Sequence, residues 1–233
     1  ERPWLLVASF THPHDPFVAR RKYWDLYEHC EYLEPQVGDL PADRHDPHSL
    51  RILASCERDK YDITRENIRR SRQAYFANIS YLDDKIGELP ETLRMTRILD
   101  DTIILFTSDH GDMLGERGLW FKMNFFEGSA RVPLMFCGPG VKPGLVTEPV
   151  STLDVNPTLA ALAGIDIAEI EPWTDGESLL PVMRGKKRTA FVPMEYAAEG
   201  TITPMIALRQ GAWKYIHCPA DPDQLFDLSA DPE

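Results

Sequence analysis

Apolar residues along the chain fall into two kinds of pattern. "WLLVASF" (4–10) and "TIILFTS" (102–108) are continuous apolar runs, as expected of strands buried on both faces. "VPLMFC" (132–137) is a third such run, stopped by Gly138-Pro139-Gly140. Pro133 cannot donate to a ladder, which places this run near an edge or a strand start. Between the first two runs the period changes. Ile68, Tyr75, Ile79, Leu82, Ile86 and Leu89 recur at helical spacing, after capping residues at Asp62 and Thr64 and with Glu66 in the first turn. Pro90 is expected to end this pattern or begin the next segment. "DVNPTLAALAG" predicts a further helix with Asn156 as N-cap, Pro157 as its first residue and Gly164 just past its end. Residues 11–61, rich in Pro, His and Asp, read as irregular.

Strands alternating with helices predict an α/β fold, a mostly parallel doubly wound sheet flanked by helices. After about residue 190 the texture changes. "PMIALRQGAWKYIHC" holds two β-rich runs around Gln210-Gly211, a hairpin signal. The expected organisation is an α/β part over residues 1–190, followed over 191–233 by the start of a small antiparallel β subdomain.

Composition narrows the partners. The 233 residues are 43% hydrophobic, enough for a sizeable core, and carry 37 acidic against 25 basic side chains, a net charge of −12. No basic block exceeds three residues, so a nucleic-acid-binding surface is not expected. No apolar run approaches the ~20 residues needed to span a bilayer, and the first residues lack the features of a secretory signal. Cys30, Cys56, Cys137 and Cys218 form no C-x-x-C pair and read as free thiols of a reducing compartment, hence a cytoplasmic location. The sequon Asn78-Ile79-Ser80 falls inside the helical pattern, where glycosylation is not expected.

Candidate chemistry gathers where the second run stops, at Asp109 and His110. In open α/β sheets ligands bind beyond the carboxyl ends of strands, and Gly111 allows backbone geometry that a Cβ would obstruct. Asp beside His, helped by another carboxylate, can hold a divalent cation: Ca²⁺ or Mg²⁺ with mostly oxygen donors, Zn²⁺ more readily through the imidazole. The same pair also fits a plain turn capped by Asp109. Lys122 is either a solvated surface residue or, beside a metal, a group that neutralises an anion. In "FTHPHDPF" (10–17), His12 and His14 follow the first run. If that run is parallel to the second, they emerge at the same sheet edge as Asp109; otherwise they sit in a proline-rich surface loop. "EYAAEG" supplies Glu195, Tyr196 and Glu199, suited to an organic cation or simply to a strand end with surface acids.

Together, "FTHPHDPF", "SYLDDKIGEL", "TSDHGDMLGERGLWFK" and "RVPLMFCGPG" resemble, in the same order, segments of the sulfatase family of the alkaline phosphatase superfamily. Within that family the resemblance is to members acting on choline sulfate. It implies a sulfuric ester hydrolase in which Asp109 and His110 are metal ligands, most simply for Ca²⁺, with Mg²⁺ or Mn²⁺ as alternatives. Lys122 would contact the sulfate, and His14 the sulfate or the leaving oxygen. Glu199, with Glu195 as a weaker candidate, would hold the quaternary ammonium. The implied partner is a small sulfate ester, and the complete protein is expected to be a homo-oligomer.

One departure stands out. The family's nucleophile is a formylglycine made in a Cys-x-Pro-Ser-Arg-type motif, and none of the four cysteines has that context; Cys137-Gly-Pro-Gly comes nearest but lacks the Ser and Arg. The family's paired N-terminal aspartates are absent too. The chain therefore reads as the later part of a sulfatase, inactive by itself. A phosphonate monoester or phosphodiester hydrolase of the same superfamily and a non-catalytic anion-binding fragment remain the alternatives.

Overall fold

The computed structural model describes residues 3–170 and 173–231. The chain divides into two compact units, Leu5–Pro139 and a second formed by Gly140 onward with the first residues. The architecture is α/β, with a small antiparallel β subdomain.

In the first unit, the short helix α1 (Arg21–Trp24) is followed by α2 (Pro47–Ser55), which starts with Pro47 in its first turn and with Asp46 accepting from the Ser49 N–H at 3.0 Å. The long helix α3 (Arg65–Met95) is capped by Thr64, whose hydroxyl accepts from the Asn67 N–H at 3.2 Å. It runs through Pro90, against the expected stop. Proline deletes one amide and strains the preceding turn, but the turns here are largely exposed, where that loss costs least. The buried side of α3 is also narrower than the apolar stripe suggested. Arg72, Gln73, Ala74, Ala77 and Asn78 are buried, while Ile79 and Leu89 are exposed. Tyr23 and Lys22 of α1 bond the Asp84 carboxylate of α3 at 2.7 and 3.0 Å.

Strand β1 (Ile104–Thr107) pairs with β2 (Leu134–Cys137), Ile104 opposite Cys137, after the single-turn helix α4 (Glu127–Ala130). The pairing is antiparallel, where a mostly parallel sheet was expected. Residues 4–10 belong to no strand, and Leu5, Leu6 and Val7 are each more than 70% exposed. The strand expected here, buried on both faces, is not formed: a strand needs a hydrogen-bonding neighbour, and none of the described residues provides one.

In the second unit, α5 (Val155–Leu162) starts earlier than expected. Its N-cap is Asp154, not Asn156, and a capping box between Ser151 and Asp154 opens the 3-10 turn Thr152–Asp154 that leads into it. Gly164 follows its end at φ +73°, as anticipated. Asp154 is completely buried. Its carboxylate accepts from the Ser151 and Glu177 amides, both at 2.8 Å, and from the Arg188 guanidinium at 2.5 and 3.2 Å. Short helices α6 (Ile167–Ile170) and α7 (Leu180–Met183) lead to a four-stranded antiparallel sheet: β3 (Val192–Tyr196), β4 (Met205–Gln210), β5 (Trp213–His217) and β6 (Gln224–Asp227), in that spatial order. Gln210 pairs with Trp213 across a two-residue turn in which Gly211 takes φ +55°, a conformation that favours glycine. One face of the sheet, with Val192, Met205, Ala207 and Ile216, is buried; the other carries exposed Ile206, Trp213 and Leu225. Beyond β5, the Asp223 carboxylate accepts from the Tyr215 hydroxyl and meets the His217 ring, each at 2.7 Å.

Candidate active site

The first unit brings Asp109, His110, Lys122 and His14 together. Leaving β1, the Ser108 hydroxyl donates to the His110 carbonyl at 2.9 Å and the His110 N–H donates to Asp109 Oδ1 at 3.0 Å, closing a tight turn. Asp109 Oδ2 lies 3.6 Å from His110 Nε2. His110 Nδ1 lies 2.8 Å from the Gly111 carbonyl oxygen. An oxygen there is met by a proton on Nδ1, and Nε2 faces the Asp109 carboxylate. Gly111 is required by packing: its N–H donates to the Ser129 carbonyl at 2.7 Å, and a Cβ would stand 2.1 Å from the Gly128 carbonyl oxygen.

Lys122 is presented by a strained loop in which Leu114, Arg117, Phe121 and Met123 all have positive φ. Such conformations persist only where surrounding contacts impose them. Asp112 Oδ1 accepts from the Leu114 and Phe121 amides at 2.9 and 3.2 Å, and the Met113 N–H donates to the Phe121 carbonyl at 2.7 Å. Glu116 accepts from the Gln36 and Val37 amides and from Arg72, which also donates to the Leu114 carbonyl. Beyond the lysine, buried His48 donates from Nε2 to the Met123 carbonyl at 2.6 Å.

Lys122 Nζ reaches His14 Nε2 at 2.8 Å. The ammonium donates, so Nε2 accepts, and the imidazole proton sits on Nδ1, 2.9 Å from the Asp15 carbonyl and 3.1 Å from its carboxylate. The His14 and His110 rings are 6.4 Å apart, edge to face. His12 instead packs against Tyr81 at 5.4 Å. A cavity of about 560 Å³ adjoins the cluster, with Asp15, Phe17, Tyr61, Trp120 and Phe121 among its walls.

The local field separates the acids. Partial loss of water pushes the Asp109 carboxyl up, but the His110 charge and N–H and the Ser108 hydroxyl outweigh it and hold the group below the usual carboxylate range. Burial pushes Asp112 up, against the opposing Leu114 and Phe121 amides. Burial, with the Asp112 charge, pushes the Tyr75 phenol up to about 12.

Asp109 and His110 fit a divalent cation as far as they go: a carboxylate oxygen and a ring nitrogen stand 3.6 Å apart, both donor types that such a cation accepts. Among the described residues no group of three or more His, Cys, Asp or Glu is arranged to hold a metal. In the second unit, alternation along β3 puts Glu195 on the exposed face, opposite Ile206, and Tyr196 on the other face, opposite Met205. Glu199 lies in the turn after β3, with its carboxylate 3.2 Å from the Tyr196 hydroxyl. Sequence reasoning passed over Asp112, Glu116, Arg72 and His48. Asp112 and Glu116 stand inside the motif and could have been flagged, but the partners of Arg72 and His48 lie 42 and 75 residues away, beyond any periodic signal.

The chain belongs to the sulfatase family, whose profile matches residues 1–165; the profile of the N-sulphoglucosamine sulphohydrolase C-terminal region matches residues 115–233. Among individual proteins, it is 67% identical to the choline-sulfatase of Rhizobium meliloti (strain 1021) over 231 residues, covering 99% of this chain and 45% of that protein. It is 41% identical to arylsulfatase K of Danio rerio, covering 72% of this chain and 34% of that one. The chain thus spans less than half the length of these relatives. Among solved structures, the phosphonate monoester hydrolase from Silicibacter pomeroyi superposes with a TM-score of 0.79 at 26% identity, covering 95% of this chain and 49% of that one. Among the described residues no helix is long and apolar enough to cross a membrane.

Proposed function

We propose that this chain is the later part of a choline-sulfatase-like enzyme that hydrolyses choline sulfate to choline and sulfate. The observation that carries the reading is 67% identity to a choline-sulfatase across 99% of the chain. The juxtaposition of Lys122, His14, Asp109 and His110 supports it. Lys122 offers an ammonium to the sulfate oxygens, where negative charge grows in the transition state. His14, its Nδ1–H held by Asp15, turns Nε2 toward the same space and contacts the sulfate or the leaving oxygen. A divalent cation, Ca²⁺ first and Mg²⁺ or Mn²⁺ as alternatives, would be held by Asp109 and His110 with ligands from outside this chain, and would supply fixed positive charge. The formylglycine nucleophile also lies outside it. Glu199 takes the quaternary ammonium, with Glu195 the weaker candidate. The complete enzyme is proposed to be a cytoplasmic homo-oligomer with no nucleic-acid or membrane partner.

The likeness to a phosphonate monoester hydrolase keeps a second reading alive: a phosphonate or phosphodiester hydrolase built on the same residues. The test compares kcat/KM of the full-length enzyme on choline sulfate, an aryl sulfate and a phosphonate monoester. Choline sulfate is expected to lead. A phosphonate monoester turned over faster than both sulfates would replace the first reading with the second.

A further inference from the structure

We infer that Tyr196 is a positioning residue that sets the enzyme's preference for a quaternary ammonium by holding the Glu199 carboxylate in place; the inference rests on the assignment of Glu199 above. Tyr196 is the last residue of β3, and its hydroxyl lies 3.2 Å from Glu199 Oε2 and 3.1 Å from the Glu199 carbonyl oxygen. The intervening turn is fixed as well. The Thr201 amide and hydroxyl both donate to the Ala198 carbonyl, at 3.2 and 2.6 Å, and Gly200 takes φ +79°. The backbone of Glu199 is therefore set by the turn, and its carboxylate is tied back to the strand by one phenol. Glu195 has no share in this arrangement, because strand alternation turns it to the opposite face.

The chemistry of the ligand explains why such a tie matters. A primary ammonium or a guanidinium donates hydrogen bonds and so orients the carboxylate it meets. A trimethylammonium has no N–H. It attracts the carboxylate by charge alone and imposes no direction, so an unanchored Glu side chain would spread over its rotamers and spend much of its time away from the cation. The Tyr196 hydroxyl supplies the missing donor from the protein side. The phenol's single proton, shared between Oε2 and the Glu199 carbonyl, ties the carboxylate and its backbone to the same point. The attraction falls as the inverse of distance, and at an effective dielectric constant of about 20, retreat from about 4 to about 6 Å weakens binding roughly tenfold.

The experiment is a double-mutant cycle in the full-length enzyme, with kcat and KM for choline sulfate and for an aryl sulfate lacking any cation. Variants are Tyr196→Phe, Glu199→Gln and the pair. Tyr196→Phe keeps the ring, and therefore the strand packing. It is expected to lower kcat/KM for choline sulfate roughly 5- to 20-fold, mainly through KM, and to leave the aryl sulfate within about twofold. In the double variant the choline sulfate loss should equal that of Glu199→Gln alone, because the effect of the Tyr196 hydroxyl on the ammonium passes through that carboxylate. An unchanged Tyr196→Phe, an equal loss on both substrates, or additive losses in the double variant would each overturn the positioning role while leaving Glu199 in the site. If Glu199→Gln itself leaves the ratio between substrates unchanged, the assignment of Glu199 fails and this inference falls with it.

Discussion

At the scale of single residues, the lysine that closes the Asp-His-Gly segment has the most to lose. Lys122→Ala in the full-length enzyme removes an ammonium assigned to charge that develops during the reaction. The loss should therefore fall on kcat and kcat/KM together, by about 100–1000-fold. Steady-state kinetics on an aryl sulfate check this, and near-normal kcat in a folded variant would mean that the lysine plays no part in turnover. A second residue-scale effect is pH-dependent. Hydrogen bonds from Tyr215 and then His217 hold the Asp223 carboxyl below its ordinary value. A lowered folded value contributes stability that is present above the ordinary carboxylate pKa and is lost as pH falls through the folded one. Asp223→Asn should therefore lower Tm at pH 6 to 8 and leave it nearly unchanged at the acid end, which flattens the acid side of the Tm–pH profile. At this scale the sequence was legible where chemistry crowds into one segment: Asp109, His110 and Lys122 could be singled out from 104–122 alone. The partner that Lys122 meets is 108 residues away, and no spacing rule reaches that far.

At the scale of elements, the loop between Asp112 and Met123 should depend on Glu116. Its carboxylate and Arg72 are nearly buried, with side chains 14% and 10% exposed. Glu116→Ala strands the guanidinium and two backbone amides at once, and removing one partner of a buried pair costs about 3–5 kcal/mol. Urea unfolding of the first unit should show a loss of that order, and Glu116→Gln, which keeps the acceptor oxygen, a smaller one. Helix α3 and the β4–β5 hairpin could be read in the sequence because period and turn chemistry are local. The reach of α3 past Pro90 and the earlier start of α5 were hidden, since each depends on what surrounds the helix end and not on its own pattern. Residues 4–10 illustrate the same limit. Their apolar run signals a strand, but the ladder depends on a neighbour. Exposed and apolar, this stretch should drive self-association. Leu6→Lys with Val7→Asp should raise the monomer fraction in light scattering of the isolated chain.

At the scale of the whole molecule, the isolated chain is expected to show no turnover of choline sulfate or of an aryl sulfate beyond an Asp109→Ala control, because covalent catalysis needs the nucleophile it lacks. Turnover above that control would show that hydrolysis can proceed by another route. The second unit has a stitch of its own in Asp154, which grips an amide 23 residues away and a guanidinium 34 residues away while closing the capping box of the turn that leads into α5. The contact is close enough that a Cβ on Gly176 would stand 2.1 Å from the Leu153 carbonyl oxygen. Backbone continuity between those anchor points is therefore dispensable once the unit has folded. A protease that nicks the chain just after α5, around Gly164, should leave two pieces that elute as one in native buffer and separate only in denaturant, and Arg188→Met should let them part without it.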